Sequence, residues 1–170
     1  MSREKQLKGD IKNKIWINPM YIDDFASVWN HAKFNYGVVV YDGDWDKKIQ
    51  KLSNEYFPIG FKQVHIDKTH TWKDTDYVKK RKMSISRIYR WDKLYVDIKK
   101  NGWKEIGDYI SINIDRNGKI LFNDGQHRLT FAKYLNLEKI PVKICVIHKE
   151  FYEKNKENLI DEIKRINDIG

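Results

Sequence analysis

The first apolar block in this chain is KIWI, residues 14–17, a short β-branched run that reads as a strand. Residues 1–13 before it are polar and are expected to be frayed. Asn18-Pro19 marks a turn or helix start, because proline's fixed φ suits a first helical turn. Tyr21, Phe25, Val28 and Trp29 then recur at helical spacing. YGVVVY (36–41) is a β-branched run of buried-strand type and closes in DGDWD, a turn signal. A short helix is expected within 45–57, before Pro58, and FKQVHID (61–67) suits either a strand or an irregular segment. The stretch 74–90 predicts a helix with Tyr77, Arg81 and Ile85 on one side.

The pattern sharpens toward the C-terminus. Leu94, Tyr95 and Ile98 predict a helix over 91–103, with Gly102 as its C-terminal cap. YISINID and KILFN are strand-like runs joined through Asn117-Gly118, a strong hairpin signal. After DGQHR (124–128) comes a helix burying Leu129, Ala132 and Leu135 and ending near Asn136. KIPVKICVI (139–147) predicts a central strand, and Leu159, Ile160, Ile163 and Ile166 a terminal amphipathic helix. No repeat, Gly/Ser linker or low-complexity tract interrupts the 170 residues, so one α+β domain over 1–170 is expected.

Composition changes this picture in three ways. Hydrophobic residues make up 41% and there are six Trp, which excludes a disordered chain. The net charge of +9 favours anionic partners, including nucleic acid and nucleotides. The single cysteine, Cys145, excludes an internal disulfide and a cysteine-based zinc site, and its apolar setting predicts a buried, inert thiol. No apolar stretch approaches the ~20 residues of a membrane span, and MSREKQLKGD lacks the apolar region of a secretion signal. A cytoplasmic protein without membrane contact is therefore expected.

The chemistry concentrates at DGQHR, where a strand feeds a helix. The first amides of a helix have no intrahelical partner and carry partial positive charge, so they attract anions. Asp124 suits the N-cap, Gly125 permits close backbone approach, and Arg128 offers a bidentate phosphate donor. His127 can donate a hydrogen bond or move a proton, and Gln126 can hydrogen-bond. On local spacing alone, a plain helix cap with His127 packed beside Phe131 accounts for the string equally well.

The unit SINIDRNGKILFNDGQHRLTFAKYLNLEKIPVKICV resembles the ParB/sulfiredoxin superfamily, whose signature is a hairpin, a Gly-x-[His/Arg]-Arg helix start, an Ala-containing helix and an IPV strand. The resemblance covers residues 91–147, and GDWD (43–46) and WKDTDY (72–77) are similar to blocks of a little-characterised microbial and viral branch. It implies a small mixed sheet flanked by helices, extended on the N-terminal side and by a C-terminal helix. It also implies a phosphate cradle from Asp124, Gly125, Gln126, His127 and Arg128. ParB-type domains bind and hydrolyse CTP, a free-serine kinase of this fold holds a nucleotide's phosphates, and some members are described as nucleases, so ATP, ADP or CTP is the expected ligand. Sulfiredoxins place a cysteine before the His-Arg pair; Gln126 stands there, which argues against thiol repair. Partition proteins continue into a helix-turn-helix, and this chain ends soon after the core, so a partition clamp is not expected. A viral origin would place the protein in the host cytoplasm.

Three further groups bear on function. Asp42, Asp44 and Asp46 alternate as an EF-hand loop begins, but Lys47 and Ser53 break that pattern. Exposed turn acids are one reading; the other makes Asp44 a catalytic base or, with Asp124, a magnesium ligand beside the cradle. His65, Asp67 and His70 read as a solvated loop, and His31 and His148 as isolated structural residues. Lys79, Arg81, Lys82, Arg87 and Arg90, interleaved with Tyr89 and Trp91, suit either a solvated helix face or a DNA backbone. The leading expectation is a nucleotide-binding phosphotransferase or nucleoside triphosphatase, with His127, Arg128 and Asp44 catalytic and magnesium as cofactor. A DNA-binding or DNA-cleaving module and a non-catalytic interaction protein are the alternatives.

Overall fold

The computed structural model describes residues 4–7, 14–26, 38–51, 78, 84–103 and 109–169, with backbone alone at 4–7 and 51. Among them, eight strands form one mixed sheet: β1 (Glu4–Leu7), β2 (Lys14–Ile17), β3 (Asp24–Phe25), β4 (Val38–Tyr41), β5 (Gln50–Lys51), β6 (Ile110–Ile114), β7 (Ile120–Asp124) and β8 (Ile140–His148). The helices are α1 (Ile85–Asn101), α2 (Gln126–Tyr134), α3 (Lys149–Asn155) and α4 (Leu159–Ile166). The α+β expectation holds at this level.

β8 organises the sheet. Its Ile/Val-rich stretch has parallel β6 along one edge, while antiparallel β2 takes the first half of the other edge and parallel β4 the second. A strand paired on both sides reads as a near-continuous apolar run, as IPVKICVI does. β7 returns antiparallel beside β6 through Asn117-Gly118, and β3 extends the sheet parallel to β7. Asp115 shapes the hairpin turn: its carboxylate accepts from the Asn117 and Lys119 amides at 2.8 and 2.9 Å.

One face of the sheet holds the main core. Tyr95 and Ile98 of α1, Leu129, Phe131 and Ala132 of α2, Phe151 of α3, and Leu159 and Ile163 of α4 share a cluster with Ile110, Ile112, Val142 and Ile144. The opposite face carries a smaller cluster, Val39 and Val146 with Tyr41, Trp45 and Cys145 packed against it. Among the described residues, no α-helical residue joins that second cluster.

Five expectations need correction. Residues 4–7 are not frayed, because their backbone pairs with β4. Phe25 is not helical: it pairs with Phe122 in the sheet, and their rings lie 5.9 Å apart. Long-range donors reinforce this, since Lys133 Nζ reaches the Ile22 carbonyl at 2.5 Å and Asn113 Nδ2 the Ala26 carbonyl at 2.9 Å. The helix expected from residue 91 begins earlier, at Ile85. The single terminal helix is two, α3 and α4. At about 100° per residue a straight helix would turn Leu159 roughly 80° away from Phe151; the break at 156–158 lets both enter the core. The expected 45–57 helix resolves into a 3-10 turn at Trp45–Lys47 and strand β5, and residues 52–57 lie outside the described set. FKQVHID, most of 74–83, Val28, Trp29, His31, His65, Asp67 and His70 also lie outside it.

Candidate functional site

The DGQHR string forms the turn between β7 and α2. Gly125 sits at φ 99°, a left-handed conformation that side chains strain to adopt. A Cβ there would also stand 3.1 Å from the Ile110 Cα, so the backbones of the turn and of β6 are in close contact. Gly125, not Asp124, is the helix cap residue; Asp124 is the exposed last residue of β7. The Gly125 carbonyl starts the helical ladder by accepting from the Leu129 amide at 2.9 Å. The Thr130 hydroxyl donates back to the Gln126 carbonyl at 2.7 Å.

The first turn of α2 points its side chains to different places. His127 is 7% exposed, with its ring centroid 4.8 Å from that of Trp91. Phe131, one turn on, meets Trp91 at 5.8 Å and Tyr95 at 5.7 Å. The face of α2 that carries His127 and Phe131 is thus the one that docks on α1. Arg128 and Gln126 are half-buried at the mouth of the turn. Among the described residues, no hydrogen bond or ion pair engages the Arg128 side chain, and the same holds for Gln126.

The DGDWD loop follows β4 and lies elsewhere. Tyr41 is level with His148 and Ile114 with Ile147, so the ends of β4, β6 and β8 share one end of the sheet. β7 begins at that end, at Ile120 opposite Ile114, and runs the other way to Asp124. At about 3.3 Å per residue, four residues of strand put roughly 13 Å between the two ends. Asp44 therefore does not stand beside Gly125 and cannot share a cation with Asp124.

What the loop builds instead is a buried ion pair. Asp46 is 4% exposed and accepts from the Arg116 backbone amide and Nε at 2.9 Å each, and from Nη2 at 2.7 Å. Nη2 also donates to the Gly43 carbonyl at 3.0 Å and to the exposed Asp44 at 3.1 Å, while Lys47 pairs with Asp44 at 3.1 Å. His148, 1% exposed, donates through Nε2 to the Gly43 carbonyl at 2.7 Å and accepts the Glu150 amide on Nδ1 at 3.1 Å. Burial pushes the Asp46 carboxyl up, but the Arg116 hydrogen bonds outweigh it and hold it below its ordinary value. Hydrogen bonds from Lys47 and Arg116 hold Asp44 low as well. Asp44 is thus an ion-pair partner rather than a free base, and His148 belongs to a cluster rather than standing alone.

The remaining sequence candidates scatter. Arg87 and Arg90 are exposed on α1, beside Tyr89, while Lys79, Arg81 and Lys82 lie outside the described residues. Cys145 is half-buried, and burial raises its thiol pKa. Among the described residues, no group of three His, Cys, Asp or Glu side chains converges as a metal site, and no helix is long and apolar enough to cross a membrane. Sequence reasoning missed Arg116, because nothing in a hairpin turn announces an ion pair 70 residues away. It also missed Lys143, although a lysine in the middle of an apolar central strand signals a face open to solvent. No family model, curated protein or solved structure matches this chain.

Proposed function

We propose that this protein binds a nucleotide as a phosphotransferase or nucleoside triphosphatase of ParB/sulfiredoxin type, with its phosphates at the β7–α2 turn. The observation that carries this is Gly125: a left-handed residue against β6 opens a helix whose mouth holds Arg128 with no ion-pair partner among the described residues. The helix start supplies amides and partial positive charge, and Arg128 neutralises phosphate charge as it develops. His127 positions α2 from beneath. Of the expected metal ligands, Asp124 alone stays beside the turn, and no step is assigned to a metal. The order of hairpin, glycine turn, helix and IPV strand supports the family resemblance.

Calorimetry with ATP, ADP and CTP, each with and without magnesium, tests this reading. A ligand at 100 times its Kd raises stability by about 2.7 kcal/mol. Arg128→Ala should weaken binding by about 1.5–3 kcal/mol, the worth of a hydrogen bond to a charged group, at an unchanged melting temperature. Equal affinity in the variant removes the cradle reading. A second reading, contact with a DNA backbone, draws on exposed Arg87 and Arg90 flanking Tyr89, which is 61% exposed. Replacing both arginines with Ala should then lower the salt slope of binding by about two units, and an unchanged slope dismisses it.

A further inference from the structure

The face of the sheet that carries no described α-helix presents a strip of cations and rings. Side chains of residues paired across a sheet point to the same face. Lys14 pairs with Lys143, Lys143 with Ser111, and Ser111 with Asp124, which sets these four in one row. Trp16, two residues after Lys14, pairs with Pro141, and Tyr109 stands just before Ile110 on the far side of β8. Trp16 is 45% exposed although it lies inside a strand. The Lys14 ammonium is 5.7 Å from the Trp16 ring, and that of Lys143 lies 4.2 Å from the Tyr109 ring. Exposed Trp16 and half-buried Tyr109 are therefore each coupled to a cation.

We propose that this strip binds single-stranded nucleic acid. Two strand spacings, about 10 Å, separate Trp16 from Tyr109 across Pro141, which leaves room for two unstacked bases to lie on separate rings. The lysine beside each ring meets the phosphate that joins those bases. A duplex hides its bases and offers these rings nothing to stack on, whereas a single strand satisfies rings and ammonium groups together. The net charge of +9 favours the encounter. Asp124 closes the row at the β7 end, so an anionic strand crosses Lys14 and Lys143 and stops short of β7. The surface lies opposite the helices and is distinct from Arg87 and Arg90 on α1.

Fluorescence anisotropy decides the matter, with labelled oligothymidylate and oligouridylate of about 12 nucleotides, a length one small domain covers, and a duplex of equal length. Both single strands should bind more tightly than the duplex; comparing the two separates DNA from RNA. Trp16→Ala and Tyr109→Ala should each weaken single-strand binding by roughly 5- to 150-fold, while Trp16→Phe retains most of it. Lys143→Gln should lower the salt slope by about one unit. Trp16 is a surface ring, so its Ala variant should keep the wild-type melting temperature and decides the outcome even if Tyr109→Ala fails to fold. Equal binding of duplex, no binding of either single strand, or affinity indifferent to Trp16→Ala overturns the proposal. Nucleotide affinity at the β7–α2 turn, read through Arg128→Ala, is a separate measurement and stands or falls apart from it.

Discussion

Asp46→Ala is the perturbation that separates an architectural DGDWD loop from a catalytic one. In the wild type one nearly inaccessible carboxylate satisfies three N–H donors of Arg116 and lies 3.7 Å from His148 Nε2. Removing one partner of a buried pair costs about 3–5 kcal/mol, because the other charge is left without compensation. Arg116 is not sealed off: its side chain is 21% exposed and keeps the Gly43 carbonyl and Asp44. The cost should therefore fall at the lower end, about 3 kcal/mol. At about 2–4 °C per kcal/mol for a domain of this size, the melting temperature drops by roughly 6–12 °C. Chemical denaturation of wild type, Asp46→Ala, Arg116→Ala and the double variant measures it. The double variant should lose less than the sum of the single losses, since both remove the same pair. A loss below about 1 kcal/mol in Asp46→Ala, the range of an exposed ion pair, would refute the argument.

The same carboxylate predicts a pH dependence. Its folded pKa lies below the ordinary 3.8, so its contribution is complete above that value and is lost as pH falls beneath it; denaturation between pH 6 and pH 3 should show a fall that Asp46→Asn lacks. Gly125→Ala should destabilise by about 1–2 kcal/mol from the left-handed backbone alone, and by more because the Ile110 backbone cannot yield; a neutral result in thermal denaturation contradicts the tight turn. Gly118→Ala should cost more than the strained φ implies, because its Cβ would meet Phe151 and Ile166 at 2.5 and 2.6 Å; wild-type stability would show that α3 and α4 do not press on the hairpin. Cys145 should react with a thiol reagent at neutral pH more slowly than a free cysteine, because burial raises its pKa; labelling as fast as the free amino acid contradicts that.

Sequence alone determined the elements whose stability is local or uniformly apolar. Asn117-Gly118 specifies its hairpin because only certain residues accept that turn, and KIPVKICVI specifies a central strand because both of its edges are covered. The glycine turn into α2 was legible for the same reason, since close backbone approach and a left-handed φ demand Gly125. Tertiary structure decided the rest. Phe25 left its helical periodicity for a place beside Phe122, and the Ile22 and Ala26 carbonyls were claimed by Lys133 and Asn113, far along the chain. His127 became a packing residue only because α1 brings Trp91 against that face of α2. Asp44 was removed from the Gly125 turn by strand direction, which no local pattern encodes: β7 runs against β4, β6 and β8, so the two loops end up at opposite ends of the sheet. Charge and motif chemistry are written residue by residue, but which groups meet depends on the order and direction in which strands pair, and that is fixed by long-range burial.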